Sequence, residues 1–418
     1  SSATTIVKVM GMLFGVTLSI ILGRLLGADG LGIINLSNQI VGILLMLSML
    51  GFPTVILKEV AIAYSRKNWN HAQSVINTSI KINGTVASII IAIVLMLIPH
   101  LVAHVLNEPQ LKTPLTIASV GLLFQVISKI YAAGLNGYKK IWQSSLVNQA
   151  LSIFLVLLSV AMQYLINYEV TVISVALSYG ISKVIVARTL YLYCNKILHS
   201  ATNTNFIPKQ LFKVALPLLL VAATNTIASS IDTLMIGTFL DAESVGLYSV
   251  ALRIAFVSSF FLQVTNAALG PKVATLFANN QQKELEKTIQ NVTKVLALIS
   301  IFYFSIIVIG GKSVLNIWGE EFISVYWSLI VLSIGQVINV SAGCMGLILS
   351  LTGHEKTLGY ITTSQAILNI ILNIIFIKIL GIIGASIATS TSLIFGNTLG
   401  YYFLKKKLNM SIIFFKTK

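Results

Sequence analysis

In the stretch SVALRIAFVSSFF, residues 249–261, Arg253 carries a charge among apolar neighbours. A charge near the centre of a bilayer costs about 2.5–3.5 kcal/mol or more. Such a side chain faces a bundle interior or a watery cavity and pairs where it can. Asp232 is the one clear acid inside an apolar run. It lies on the preceding antiparallel helix at similar depth, so a structural ion pair with Arg253 competes with a functional role for each. Lys183 is another deep cation, while Lys8 and Arg24 stand towards the two ends of the first apolar run. Lys58 follows Pro53 and either pairs with Glu59 or snorkels; Lys81 and Lys129 are close enough to the inner surface to snorkel. A cavity lined by these cations attracts anions. Arginine, with its planar fork of donors, suits phosphate in particular.

Other constellations are weaker. His100, His104 and Glu108 have the i, i+4, i+8 spacing that can hold a metal on one helix face, but Pro99 and Pro109 bracket them, and an interfacial helix end is the plainer reading. The chain contains no HExxH, GxSxG, P-loop or DxD pattern, and its three aspartates, Asp29, Asp232 and Asp241, are not clustered as a pair. Cys194 and Cys344 offer neither a disulfide framework nor metal spacing. No cofactor is expected, and the expectation is a protein that is not an enzyme. Amides such as Asn35, Asn38, Gln39, Gln125, Asn148, Gln336, Asn369 and Asn373 recur inside apolar runs. Such amides commonly bridge helices, and they also suit sugar hydroxyls.

The elements carrying these residues follow from composition. Of 418 residues, 56% are hydrophobic and only 10% charged, against roughly a quarter charged in a soluble domain. Apolar runs of bilayer length recur throughout and do not alternate, which predicts an all-α polytopic membrane protein and not a barrel. Twelve transmembrane helices are predicted, at roughly 4–27, 31–64, 74–99, 113–135, 141–166, 170–195, 209–240, 243–278, 288–311, 323–351, 356–379 and 381–404. With the N-terminus inside, 20 of the 28 Lys and Arg fall on cytoplasmic ends and loops and four outside. That asymmetry predicts cytoplasmic termini and accounts for most of the net charge of +16 without nucleic acid. No signal peptide is expected ahead of the first helix. The basic, then apolar tail, residues 405–418, is expected to lie on the inner leaflet.

Two halves repeat. IILGRLLGADGLGI (20–33) aligns with LMIGTFLDAESVGL (234–247), placing Gly23, Leu26, Ala28 and Gly32 on Gly237, Leu240, Ala242 and Gly246. NGYKKIWQSSLVNQA (136–150) aligns with TGHEKTLGYITTSQA (352–366), and LNEP (106–109) with WGEE (318–321). The expectation is a parallel duplication: an N-terminal lobe over 1–200 and a C-terminal lobe over 201–404, six helices each, around a central cavity. Pro53 and Pro271 are expected to kink the second helix of each lobe, as a static packing feature or as a hinge.

GRLLGADGLGIINLSNQIVGILLMLSMLGFPTVILKEVA, GTFLDAESVGLYSVALRIAF and WGEEF resemble the polysaccharide-transport branch of the MOP (multidrug/oligosaccharidyl-lipid/polysaccharide) exporter superfamily, in the style of O-antigen or capsule repeat-unit flippases. The resemblance runs along essentially the whole chain. It implies a MATE/MOP-like fold of two six-helix lobes and movement of polyprenyl-pyrophosphate-linked oligosaccharide from the inner to the outer leaflet of the bacterial cytoplasmic membrane. It also implies polymerase machinery as a partner. ALRIAF is similar to the helix 8 motif whose arginine contacts lipid pyrophosphate in lipid II flippases, which implies that role for Arg253. VKVMG resembles the first basic position of helix 1, giving Lys8. The next basic position falls on Phe14, and no basic residue stands near Met46 or Leu47, so only part of that cationic site carries over. The substrate-binding set expected is Arg253, Lys8, Arg24, Asp232, Lys58 and Lys183. A MATE-type drug/cation antiporter, which wants unpaired acids, is the alternative; a membrane-bound glycosyltransferase or ligase, which wants acidic metal ligands or a large outer loop, is the third.

Overall fold

A computed structural model describes residues 2–197, 208–408 and 410. The 200/201 boundary and the tail from residue 411 lie outside them. Among the described residues there is no strand, and eight helices are long and apolar enough to cross a membrane, or nine if one bent pair counts as a span. The chain divides into two compact units. Unit 1 comprises Ser1–Ser230 with Asp241–Gly246, and unit 2 comprises Ile231–Leu240 with Leu247–Lys418.

Unit 1 contains α1 (Ser2–Met49), α2 (Phe52–Ser65), α3 (Trp69–His100), α4 (Lys112–Val120), α5 (Leu122–Gly137), α6 (Ile141–Ser145), α7 (Ser152–Leu165), α8 (Val172–Ile197) and most of α9 (Pro208–Phe239). Gly27, at φ 70°, interrupts α1 at the expected end of the first helix. The chain breaks again at Leu50 and Gly51, at φ 48° and 76°. Pro53 therefore does not kink a continuous helix as expected. It occupies the first turn of α2, where its missing N–H leaves no intrahelical bond unmade. A side chain at Gly51 would strike the Ala215 carbonyl, so α9 passes directly against this break.

Two π-helical segments, Leu101–Val105 and Leu146–Leu151, lie in unit 1. The first changes the pitch after His100, yet His100 and His104 remain neighbours. Their rings lie tilted at 50° to each other, with centroids 4.8 Å apart. The Glu108 carboxylate instead accepts from the Ala242 amide at 3.1 Å. Together with Asp241, which accepts from the Ser244 amide at 2.7 Å, it caps the start of α10 (Ala242–Ala255). Two carboxylates at a helix N-terminus satisfy orphan donors and oppose the dipole.

The tightest approach in unit 1 is reciprocal. A Cβ on Gly32 would lie 1.7 Å from the Ala242 carbonyl oxygen, and one on Gly246 would lie 1.9 Å from that of Ala28. Both helices present a small residue four positions before the glycine. This is the small-xxx-small arrangement that lets membrane helices touch backbone to backbone. These are the residues paired by the sequence repeat.

Unit 2 contains the rest of α10, then α11 (Val257–Ala278), α12 (Gln282–Asn316), α13 (Tyr326–Ser341), α14 (Met345–Leu351) and α15 (Glu355–Leu408). The predicted helix 323–351 is broken: Gly343, at φ 76°, ends α13 against Thr293, and Cys344 stands between the pieces rather than inside a helix. α15 folds back on itself at Gly381. The Asn369 amide reaches Ser392 at 3.4 Å and Gly384 abuts the Phe376 carbonyl, whereas 23 residues of straight helix would span about 35 Å. The predicted boundary between 379 and 381 falls on this turn. Val273, Leu276, Leu285, Ile289, Ile348 and Leu404 form the unit's main apolar core.

Candidate functional site

Arg253 lies in the last turn of α10 and is half-buried. Immediately beyond it, at Phe256, the chain bends by 45° into α11. This bend was not foreseen from the sequence, whose candidate, Pro271, lies further on inside α11. The local bonding explains the position. The Tyr303 hydroxyl donates to the Ile254 carbonyl at 2.6 Å, and the Ser258 hydroxyl to the Ala255 carbonyl at 3.1 Å. Carbonyls at the end of α10 are thereby satisfied by side chains, and the helix can stop within an apolar segment. A cation in a last helical turn is stabilised by the negative end of the dipole, by about 0.3–1 kcal/mol. The arginine is thus placed where the backbone itself favours positive charge.

Asp232 is buried at the heart of a polar network within unit 2. One carboxylate oxygen accepts from the Asn373 amide at 2.6 Å. The other accepts from the Thr389 hydroxyl at 2.6 Å and the Tyr248 hydroxyl at 3.0 Å. Asn373 also donates to Asn369 at 3.1 Å. Each described bond to Asp232 comes from a neutral donor. Such a set stabilises a buried carboxylate through several hydrogen bonds at once. Amides also bridge helices elsewhere: Gln336 accepts from Ser259 at 2.5 Å, and Asn397 donates to Asn339 at 3.1 Å.

Unit 1 holds a polar cavity of about 320 Å³. Asn38 comes from α1, Gln125 and Lys129 from α5, Asn148 from the second π-helix and Lys183 from α8. Lys183 is only 6% exposed, and its ammonium has no hydrogen-bond partner among the described residues. Its stem passes over the break at Gly121, where a Cβ would lie 3.2 Å from the lysine Cδ. Lys129, read from the sequence as a snorkelling residue, lines this cavity and is exposed. Gly42 opens onto the same space, with nothing within 4 Å of where its Cβ would stand.

Lys8 and Arg24, on α1, and Lys58, on α2, are exposed. Glu59, offered as the partner of Lys58, faces His71 at 3.5 Å, since successive residues on a helix do not face each other. The amides of the cavity were visible in the sequence as polar residues inside apolar runs. Their convergence with Lys129 and Lys183 was not, because it depends on four separate segments.

The family described as "Polysaccharide biosynthesis protein" matches residues 21–327. Over 177 residues the chain is 28% identical to the "Probable low-salt glycan biosynthesis flippase Agl15" of Haloferax volcanii, a match covering 42% of this chain and 38% of that protein. Among solved structures, an inward-facing MATE multidrug transporter of the MOP superfamily has a TM-score of 0.77 at 15% identity, covering 96% of this chain and 94% of its own. The lipid II flippase MurJ in an inward closed conformation has a TM-score of 0.75 at 17% identity, covering 97% and 88%. These proteins carry the names of flippases and transporters, not of enzymes. The chain therefore belongs to the polysaccharide biosynthesis protein family and is built on the all-α fold of the MOP-superfamily exporters.

Proposed function

We propose that this protein is a flippase that carries polyprenyl-pyrophosphate-linked oligosaccharide from the cytoplasmic to the outer leaflet by alternating access. With α1 and α15 each crossing twice, the chain makes twelve spans with both termini cytoplasmic. The observation that carries the phosphate reading is Arg253, an arginine at the end of α10 where the chain bends within the membrane. A broken membrane helix offers its terminal dipole to a charge at depth, and the guanidinium fork matches a phosphate oxyanion. Lys8 and Arg24 are assigned to capture of the lipid-linked head group on unit 1, and Lys58 to its approach from the inner surface. The polyprenyl chain stays in lipid. An apolar groove of about 510 Å³ on unit 2, lined by Phe260, Phe261, Val264 and Val295 among others, supports a place for it.

The test is transport of a fluorescent lipid-linked oligosaccharide in proteoliposomes. Arg253→Ala is expected to abolish transfer while the protein remains monodisperse, and Arg253→Lys to retain only part of it, because charge remains and the fork is lost. Wild-type transfer by Arg253→Ala removes the residue from the site. If Asp232→Asn alone blocks transport and the protein moves cationic dyes instead of lipid-linked sugar, the antiporter reading replaces this one.

A further inference from the structure

The cavity of unit 1 has the marks of a binding site. Its volume is near the lower end for small-molecule pockets, about 300 Å³. It converges neutral amides from three segments on two lysines. Lys183 is more than nine-tenths buried and its ammonium meets no acceptor among the described residues. A charge removed from water without a partner is strongly unfavourable, so the side chain is poised for an anion that arrives from outside. A π-helical turn brings Asn148 to the same space, and such turns concentrate at functional sites. Gly42 keeps the space open.

We propose that this cavity is an anion site within unit 1, one that takes an oxyanion carried on a sugar, such as the carboxylate of a uronic acid residue. Lys183 meets the charge from the buried side and Lys129 from the exposed one, while Asn38, Gln125 and Asn148 bond the ring hydroxyls. The oxyanion follows from the cavity alone. Its attachment to a sugar rests on the glycan-flippase reading, and free inorganic phosphate offers the same charge chemistry.

The experiment uses the full chain purified in detergent. Binding of glucuronate, inorganic phosphate and uncharged glucose is measured by calorimetry and by ligand-induced shift of the melting temperature. Glucuronate is expected to bind and glucose not. Lys183→Met is expected to weaken glucuronate binding by about tenfold or more, the loss of one charge-assisted hydrogen bond. Gly42→Leu, which fills the cavity while keeping both lysines in the chain, is expected to abolish it. Because Lys183→Met removes an unpaired buried charge, it should melt no lower than wild type in the absence of ligand, which separates lost binding from lost folding. Binding of phosphate alone, with the same dependence on Lys183 and Gly42, upholds the anion site and transfers its source to free phosphate or a phosphate head group. Equal binding of glucose, no binding of either anion, or glucuronate binding unchanged in both variants overturns the proposal. None of these readouts involves Arg253 or transport, so failure of the flippase reading leaves the result standing.

Discussion

Gly32→Ala is expected to destabilise the protein, although glycine to alanine within a helix ordinarily gains about 1 kcal/mol. The added methyl would stand 1.7 Å from the Ala242 oxygen. Non-bonded carbon and oxygen require about 3 Å, so the two helices must separate by more than 1 Å over at least one turn. Backbone displacement of that kind costs about 1–3 kcal/mol. Gly246→Ala meets the Ala28 oxygen at 1.9 Å and should lose a similar amount. The reciprocity makes a sharper forecast. Once the helices have moved apart for one methyl, the second finds room already made. The double variant should therefore lose about as much as either single one, a coupling of about 1–3 kcal/mol between touching sites. Unfolding of the four proteins in mixed micelles, followed by tryptophan fluorescence, measures this directly. Additive losses, or a Gly32→Ala protein as stable as wild type, would refute the claim that the two backbones share one contact.

Asp232→Asn places an amide NH₂ against donors that now point at a carboxylate; a loss of about 1–3 kcal/mol in the same unfolding assay is expected. Tyr303→Phe removes the hydroxyl that serves the Ile254 carbonyl and should lose about 0.5–1.5 kcal/mol. It should also lower the oligosaccharide transfer rate, because Arg253 lies one residue before that carbonyl; a normal rate would detach the arginine's function from the helix end. Gly121→Val drives a branched side chain into the stem of Lys183 and should lower glucuronate affinity while leaving the cavity's amides in place, as calorimetry can establish.

Much of the helical framework was legible because apolar runs of bilayer length have few alternatives. Gly27 and Gly381 mark helix ends close to those drawn from the sequence. The Ala28–Gly32 and Ala242–Gly246 match proved to mark a physical contact, since only residues lacking bulk can occupy it. The breaks inside the helices were harder to see. Pro271 was the local signal for a bend, yet the chain turns at Phe256, where hydroxyls from Tyr303 and Ser258 take the carbonyls. A bond to a residue some fifty positions away leaves no periodic trace. Asp232 announced itself as a lone acid, but its partners Asn373 and Thr389 come from the folded-back α15. The neighbours of Lys129 were hidden for the same reason: its distance from the inner surface suggested snorkelling, and the packing of α5 also sets it in the cavity lining.

The π-helical turn at Leu146–Leu151 has a corollary for length variation. A wider turn contains one more residue than an ordinary helix needs over the same rise. Deleting a single residue there would tighten the pitch and leave the flanking segments, Ile141–Ser145 and Ser152–Leu165, in their original phase. Elsewhere in a membrane helix the same excision rotates everything downstream by about 100°. In a systematic single-residue deletion series, this segment should stand out as an island of tolerated folding, with only the aim of Asn148 lost.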